Sequence, residues 1–255
     1  MSSKERLLEL NARLAQNLTD KGVEATADET TTSLIDKVAD IQVNGGVDYL
    51  SYAKTITFSE KFSELTEDVY LDLSSAITLY QALKYVSINC EKITLKVTNL
   101  CKNLRNTFQG ASNDDTDSLK TIEIVGDTSG IEAFVDCFRS RKKLESILGE
   151  IDFSGVIQST NLNNIFLNSG NIKEIYPKAR TIKVSISFSG LAKLIDESIQ
   201  AIIDGFADMT GQTAPVLTVH ATVKAKIVAD EEKDDTDPTK RFWLKTLTSK
   251  NVTLA

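Results

Sequence analysis

His220 is the only histidine in 255 residues. Serine and cysteine hydrolases set a nucleophile beside a base, most often His. That one residue would have to serve any such chemistry here. It follows the strand-like run Val216-Leu217-Thr218-Val219, which points to a structural position instead. Cysteine is nearly as scarce: Cys90, Cys101 and Cys137. An odd, irregularly spaced set makes no disulfide framework. It also lacks the paired spacing and His partners of a zinc site. Cys90 and Cys137 adjoin apolar positions and read as small buried hydrophobes. The phosphate-cradling Gly-x-x-x-x-Gly-Lys, the dinucleotide phrase Gly-x-Gly-x-x-Gly and the hydrolase elbow Gly-x-Ser-x-Gly do not occur. The sequence therefore implies no cofactor, no metal and no catalytic residue, and the expectation is that the protein is not an enzyme. A glycosidase needs two carboxylates placed across a bond, but with 36 acidic residues a pair can always be picked, so their presence decides nothing.

Two further shortages bear on partners. Basic residues are outnumbered, leaving a net charge of −7; a general nucleic-acid binder would present a basic face. No run of 18 apolar residues exists, so membrane insertion is not expected. After Met1-Ser2-Ser3-Lys4-Glu5-Arg6 the chain turns amphipathic without the apolar core of a signal peptide. Synthesis in the cytoplasm without secretory export is the expectation.

What the chain has in plenty is repetition. Between residues 91 and 190 one phrase occurs three times. It runs Leu104-x-x-x-Phe108, a polar loop, then Leu119-x-x-Ile122-x-Ile124. It returns as Phe134-x-x-x-Phe138 with Leu144-x-x-Ile147, and again as Leu162-x-x-x-Phe166 with Ile172-x-x-Ile175. The Phe anchors 108, 138 and 166 are 30 and 28 residues apart. Such a period marks a solenoid, in which each unit buries its apolar face against its neighbours. Here the unit is a short helix or turn carrying the Phe, a polar turn, then a short strand. The phrase resembles the irregular leucine-rich repeat of bacterial surface and phage proteins. The competing reading is an ordinary α/β domain with strands spaced by chance.

Strands are expected near residues 56, 70, 95, 122, 151, 183, 218 and 253, side by side in one mainly parallel sheet. Along them Thr94, Lys96, Glu123, Lys183 and Ser185 alternate with apolar neighbours and are candidates for the outward face. Residues 113–117, Asn-Asp-Asp-Thr-Asp, read as a solvated insertion, since they lack the spacing of a calcium loop. Residues 194–206 have strong helical spacing. Residues 230–237 read as an exposed acidic loop. Asp237-Pro238 then suits a helix start, carrying Phe242, Trp243, Leu244 and Leu247.

Before the repeats, residues 4–18 and 28–41 carry helical stripes: Leu7, Leu10, Leu14 and Leu18, then Leu34, Ile35, Val38 and Ile41. Asp28 is a plausible cap for the second. Stripes this short and narrow need something to pack on, so Leu7, Leu10, Leu14, Leu18, Leu34, Ile35 and Val38 are the candidate assembly residues. Asn44-Gly45-Gly46 breaks the pattern. The expected organisation is α/β: an N-terminal helical segment, 1–44, for attachment or oligomerisation, then a leucine-rich-repeat-like solenoid with a mainly parallel sheet, 45–255, closed by a strand–helix–strand cap.

Two groups of phrases carry a wider resemblance. One is Glu5-Arg6-Leu7-Leu8-Glu9-Leu10-Asn11, Asn17-Leu18-Thr19-Asp20-Lys21-Gly22-Val23 and Leu34-Ile35-Asp36-Lys37-Val38. The other is Ile202-Ile203-Asp204-Gly205-Phe206-Ala207-Asp208-Met209-Thr210-Gly211-Gln212-Thr213, Leu217-Thr218-Val219-His220 and Asn251-Val252-Thr253-Leu254-Ala255. Together they resemble tail-fibre, baseplate and other virion-associated proteins of phages and prophages of Gram-positive bacteria. The acidic stretch 230–237 departs from the shorter connection expected there. The resemblance implies a structural virion component, made in the host cytoplasm and located in the virion. It implies N-terminal helices that contact other virion proteins, a homo-oligomer, and a repeat domain displayed to a host-surface glycan or protein. The alternatives are a head-fibre or decoration protein without receptor binding, and a cell-wall hydrolase.

Overall fold

The computed structural model describes residues 3–20, 23–30, 33–34, 66–111 and 117–255. They fall into two compact units, the smaller one N-terminal. The larger unit is α/β, and its strands are parallel.

In the N-terminal unit, helix α1 spans Ser3–Asp20. Among its described side chains Asn11, Ala15 and Leu18 are buried, with Leu14 half-buried beside them. Their spacing is that of one helical face. Leu34 completes the cluster with Ala15 and Leu18, and Val23 and Ala25 pack on its edge. The helix ends where the Val23 N–H returns to the Leu18 carbonyl, 2.9 Å away. The start of the second helix differs from the expectation. Asp28 lies in a turn, and Thr30 takes the capping role: its Oγ1 accepts from the Ser33 N–H at 3.1 Å. The remainder of the expected second helix and the strand expected at Thr55–Phe58 lie outside the described residues.

Strands β1 (Val69–Asp72), β2 (Lys92–Val97), β3 (Thr121–Gly126), β4 (Ser146–Ile151) and β5 (Glu174–Pro177) form one sheet in sequence order. In β2 every second residue is buried, as a strand with one covered face requires. Register places Ile93 beside Ile122, Ile122 beside Ile147 and Ile147 beside Ile175. All four are fully buried, so one isoleucine column crosses four strands. At Gly149 the pairing of β4 with β5 slips. Its φ of 88°, and a backbone oxygen of Ile124 that a Cβ would meet at 1.8 Å, leave room for glycine alone.

The segments before the strands, 79–86, 104–110, 134–141 and 163–169, are runs of turns, the last following a single 3-10 turn at Ser159–Leu162. Each has a residue with positive φ near its start: Gln81, Asn106, Asp136 and Asn164. Asn163 (φ −60°, ψ 134°) followed by Asn164 (φ 55°) follows the type II pattern. Asn and Asp adopt the left-handed region at low cost. Such kinks free alternate N–H groups to point along the stack. Leu104, Asn106, Phe108 and Gly110 donate to Ala133, Val135, Cys137 and Arg139. Phe134, Asp136, Phe138 and Ser140 donate in turn to Asn161, Asn163, Ile165 and Leu167. Each copy is thus joined to the next by a strand ladder and by a second ladder of turns.

The phenylalanines fill the space between the two ladders. The Phe108, Phe138 and Phe166 rings stack with centroids 5.9 Å apart at both steps, tilted by 10° and 4°. Phe188 adds a fourth ring at 5.2 Å. Parallel strands are about 4.8 Å apart, so the rings must slip sideways into the offset-stacked arrangement that aromatic quadrupoles favour.

Arg141 lies buried inside this stack. Its side chain is 1% exposed. Its guanidinium donates to the carbonyls of Phe108 (2.6 Å), Val86 (3.0 Å) and Leu83 (3.1 Å), and to Asp117 Oδ2 (2.6 Å). One side chain therefore ties three successive copies. Of the expected solvated insertion, residues 113–116 lie outside the described residues; Asp117 at its end is buried, because the guanidinium needs a counter-charge there.

The expectation of a single sheet is corrected as well. Strands β6 (Ile186–Phe188), β7 (Val216–Val219) and β8 (Thr253–Leu254) form a separate three-stranded parallel sheet. Helix α2 (Asp196–Gly205) covers the β5 edge instead. There Ser198 Oγ accepts from the Ile175 N–H at 3.0 Å, and the Ile195 N–H reaches the Lys173 carbonyl. A covered edge cannot take another strand.

The C-terminal region holds two helices where one was expected. Helix α3 (Ala221–Glu231) is capped by His220, whose Nδ1 accepts from the Thr222 N–H. Helix α4 (Trp243–Ser249) begins well after Pro238. Asp237 spends its carboxylate on the Thr239 N–H and hydroxyl, two residues on, and such local bonds compete with helix. Asp230 is not part of an exposed loop. It is buried and accepts from the N–H groups of Arg241 and Trp243, joining the two helices.

Two substitutions test these contacts. Phe138→Ala should cost roughly 3–5 kcal/mol in urea denaturation; a loss of a few tenths would mean the ring column is not a core. Arg141→Met should also cost about 3–5 kcal/mol, because it strands a buried carboxylate, and Arg141→Lys should not restore it, since an ammonium cannot reach four fixed acceptors. Near-neutral behaviour of Arg141→Met would contradict the proposed tie.

Candidate functional site

The ladder of turns has an open end. In the copy 162–169, the N–H groups of Asn164, Phe166 and Asn168 correspond to those that bridge the earlier copies, yet they meet no acceptor among the described residues. The carbonyls of Asn161, Asn163, Ile165 and Leu167 are taken by the preceding copy. This edge therefore presents donors without acceptors.

A cleft of about 730 Å³ lies along it. Asn163, Asn164 and Asn168 line one wall, Ser185, Ser187 and Ser189 the other, with Leu162, Phe166 and Ile186 also contributing. None of the described residues lining it is charged. A second hollow of about 450 Å³ shares Ser159 and Ser185 with the first. The side chains on the two walls have different duties. Ser185 Oγ accepts from the Val216 N–H at 2.8 Å and so holds β7. Ser187 and Ser189 are exposed and bond only to each other locally, with their Oγ atoms 2.9 Å apart.

The outward face of the five-stranded sheet is of another kind. Thr94 and Lys92 both bond Glu123, Lys96 pairs with Asp72, and Ser146 bonds Glu174 across the strands. Lys173 pairs with Glu145, and Lys120 with Glu91, at the strand ends. Opposite charges set on neighbouring strands stabilise the sheet. Of the outward candidates, Thr94, Lys96 and Glu123 belong to this network, Lys183 is exposed beside the second hollow, and Ser185 faces the cleft.

The candidate assembly residues separate. Leu18 and Leu34 are buried together, and Leu14 is half-buried against them. Leu7 and Leu10 fall within α1. Ile35 and Val38 lie outside the described residues. Leu8, beside the stripe, is exposed. His220 serves as the helix cap. The three thiols are buried and form no disulfide; burial pushes that of Cys90 up to about 11 and raises that of Cys137 well above the usual thiol range. Among the described residues no group of three or more His, Cys, Asp or Glu could hold a metal, and no helix is long and apolar enough to cross a membrane. The cleft itself was not foreseen from sequence. The signal available was the Asn cluster at 161, 163, 164 and 168 beside the Ser run at 185, 187 and 189.

The ion-pair face gives a pH dependence. Lys96, with Ser74, holds Asp72 down at about 2; Lys92 and Thr94 lower Glu123, and Lys173 lowers Glu145. Depressed carboxylates contribute stability that is present above their unfolded values, about 4, and lost as pH falls toward the folded ones. The urea midpoint should hold between about pH 7 and 5 and then fall toward about pH 2. Each pair is exposed and screened, so single contributions are small, and Asp72→Asn should flatten only part of the decline. A midpoint unchanged down to about pH 2.5 would refute this account.

No family model, no curated protein and no solved structure matches the chain.

Proposed function

We propose that the chain is a structural component of a bacteriophage virion, belonging to a tail fibre or baseplate, and that residues 45–255 are a leucine-rich-repeat-like solenoid displayed for host-surface recognition. The observation that carries this reading is the stacking of near-equivalent copies by two hydrogen-bond ladders around one column of rings. A stack of that kind offers an extended surface built from repeated positions, suited to long or flat ligands. The phrases at both chain ends, which resemble virion-associated proteins, supply the setting. In this reading residues 1–44 attach the protein to other virion proteins and to copies of itself. Individual contacts on the displayed surface are weak, and several copies acting together raise the apparent affinity by roughly 10²–10⁴.

Immunogold labelling of intact particles with an antibody to the chain should decorate tails, and the multivalently displayed full chain should bind susceptible host cells more than resistant ones. Unlabelled particles would overturn the virion assignment. Equal binding to both cell types would favour a purely structural part, and release of soluble sugar or peptide from purified walls would favour a hydrolase.

A further inference from the structure

We infer that the cleft between the turn segment 162–169 and the segment 185–190 is a binding site for an uncharged glycan. The inference rests on the recognition role proposed above and assigns it a place and a ligand class. The outward face of the sheet is engaged in its own ion pairs. The cleft is where hydrogen-bonding capacity is left over.

The chemistry of that capacity selects the ligand. The open edge offers the N–H groups of Asn164, Phe166 and Asn168, at every second residue, while the alternating carbonyls are already used. An extended peptide carries N–H and C=O groups alternately along its edge. Half of its groups would face donors and find no acceptor, and unpaired buried N–H groups are costly. A sugar hydroxyl accepts from a fixed N–H and turns its own hydrogen elsewhere. The acceptors for that hydrogen stand nearby: the amide oxygens of the three asparagines and the hydroxyls of Ser187 and Ser189. Leu167, exposed and lining the cleft, adds apolar surface for the C–H face of a pyranose ring. Successive N–H groups can also bind anions. Here no cation lines the cleft, and the net charge of −7 opposes the approach of a polyanion. The volume of about 730 Å³ falls in the ordinary range for a small-ligand site.

The local backbone allows clean variants. Asn164 and Asn168 have φ of 55° and 62°, so glycine removes either amide while keeping a conformation that it adopts freely. Ser187 is exposed, so Ser187→Trp obstructs the cleft without entering the core. The biotinylated full chain, displayed on streptavidin, is titrated against immobilised neutral hexose and N-acetylhexosamine oligosaccharides, uronic-acid and phosphate-bearing glycans, and extended peptides. Binding to at least one neutral oligosaccharide is expected. Asn164→Gly and Asn168→Gly should each weaken it about tenfold, the effect of one lost hydrogen bond. Ser187→Trp should abolish it, while Thr94→Ala on the outward face leaves it unchanged. Near-native urea midpoints identify the variants that report on binding and not on folding.

Binding confined to anionic glycans or to peptides would overturn the assignment, as would loss in Thr94→Ala with retention in Ser187→Trp. The two readings fail separately. A chain absent from virions that still binds neutral glycan through the cleft ends the virion proposal alone. A chain that adheres to host cells as well in Ser187→Trp as unmodified ends this one alone.

Discussion

Copy-to-copy hydrogen bonding is the constraint on which the larger unit depends. A short turn segment cannot satisfy its own backbone, so each copy hands alternate N–H groups to the carbonyls of the next. This fixes the separation of the copies. At that separation the phenylalanines must stack, and the isoleucines of neighbouring strands must lie side by side. Neither column would form around a core of helices, whose donors are spent within the segment.

A ladder of this kind has ends, and the ends account for the irregular features. At the strand side, α2 covers β5, with Ser198 taking a backbone donor there. On the turn side the donors of Asn164, Phe166 and Asn168 are left facing a cleft. Arg141 answers a related problem inside the stack. The carbonyls of Leu83, Val86 and Phe108 converge on a buried point, and a planar guanidinium with five donors meets all of them. Asp117 then offsets its charge. Structural demands thus explain the buried ion pair, while the same demands left unmet define the candidate site.

The apolar phrases made much of this legible. Phe108, Phe138 and Phe166 could be aligned by spacing alone, and their stacking follows from repetition in a parallel arrangement. Strand positions near residues 70, 95, 122 and 218 could also be read, because a covered strand alternates with period two. The turns were less legible. Leu79, Leu83 and Val86 have helical spacing, yet the left-handed residues Gln81 and Tyr85 break the segment into turns, and neither type is a strong local signal for positive φ. Helix α3 was hidden because its end merges with the acidic run, where Asp230 looks exposed in sequence and is buried by Arg241 and Trp243.

By itself the sequence determined the period, the ring column, the parallel α/β class and the buried state of Cys90 and Cys137. Those follow from local hydrophobicity and from repetition, which are written along the chain. Only the tertiary structure decided that Arg141 and Asp117 meet, that the strands divide into two sheets, and that a donor edge opens between residues 162–169 and 185–190. These depend on which backbone groups remain unpaired after the copies have stacked, and no window of sequence contains that count.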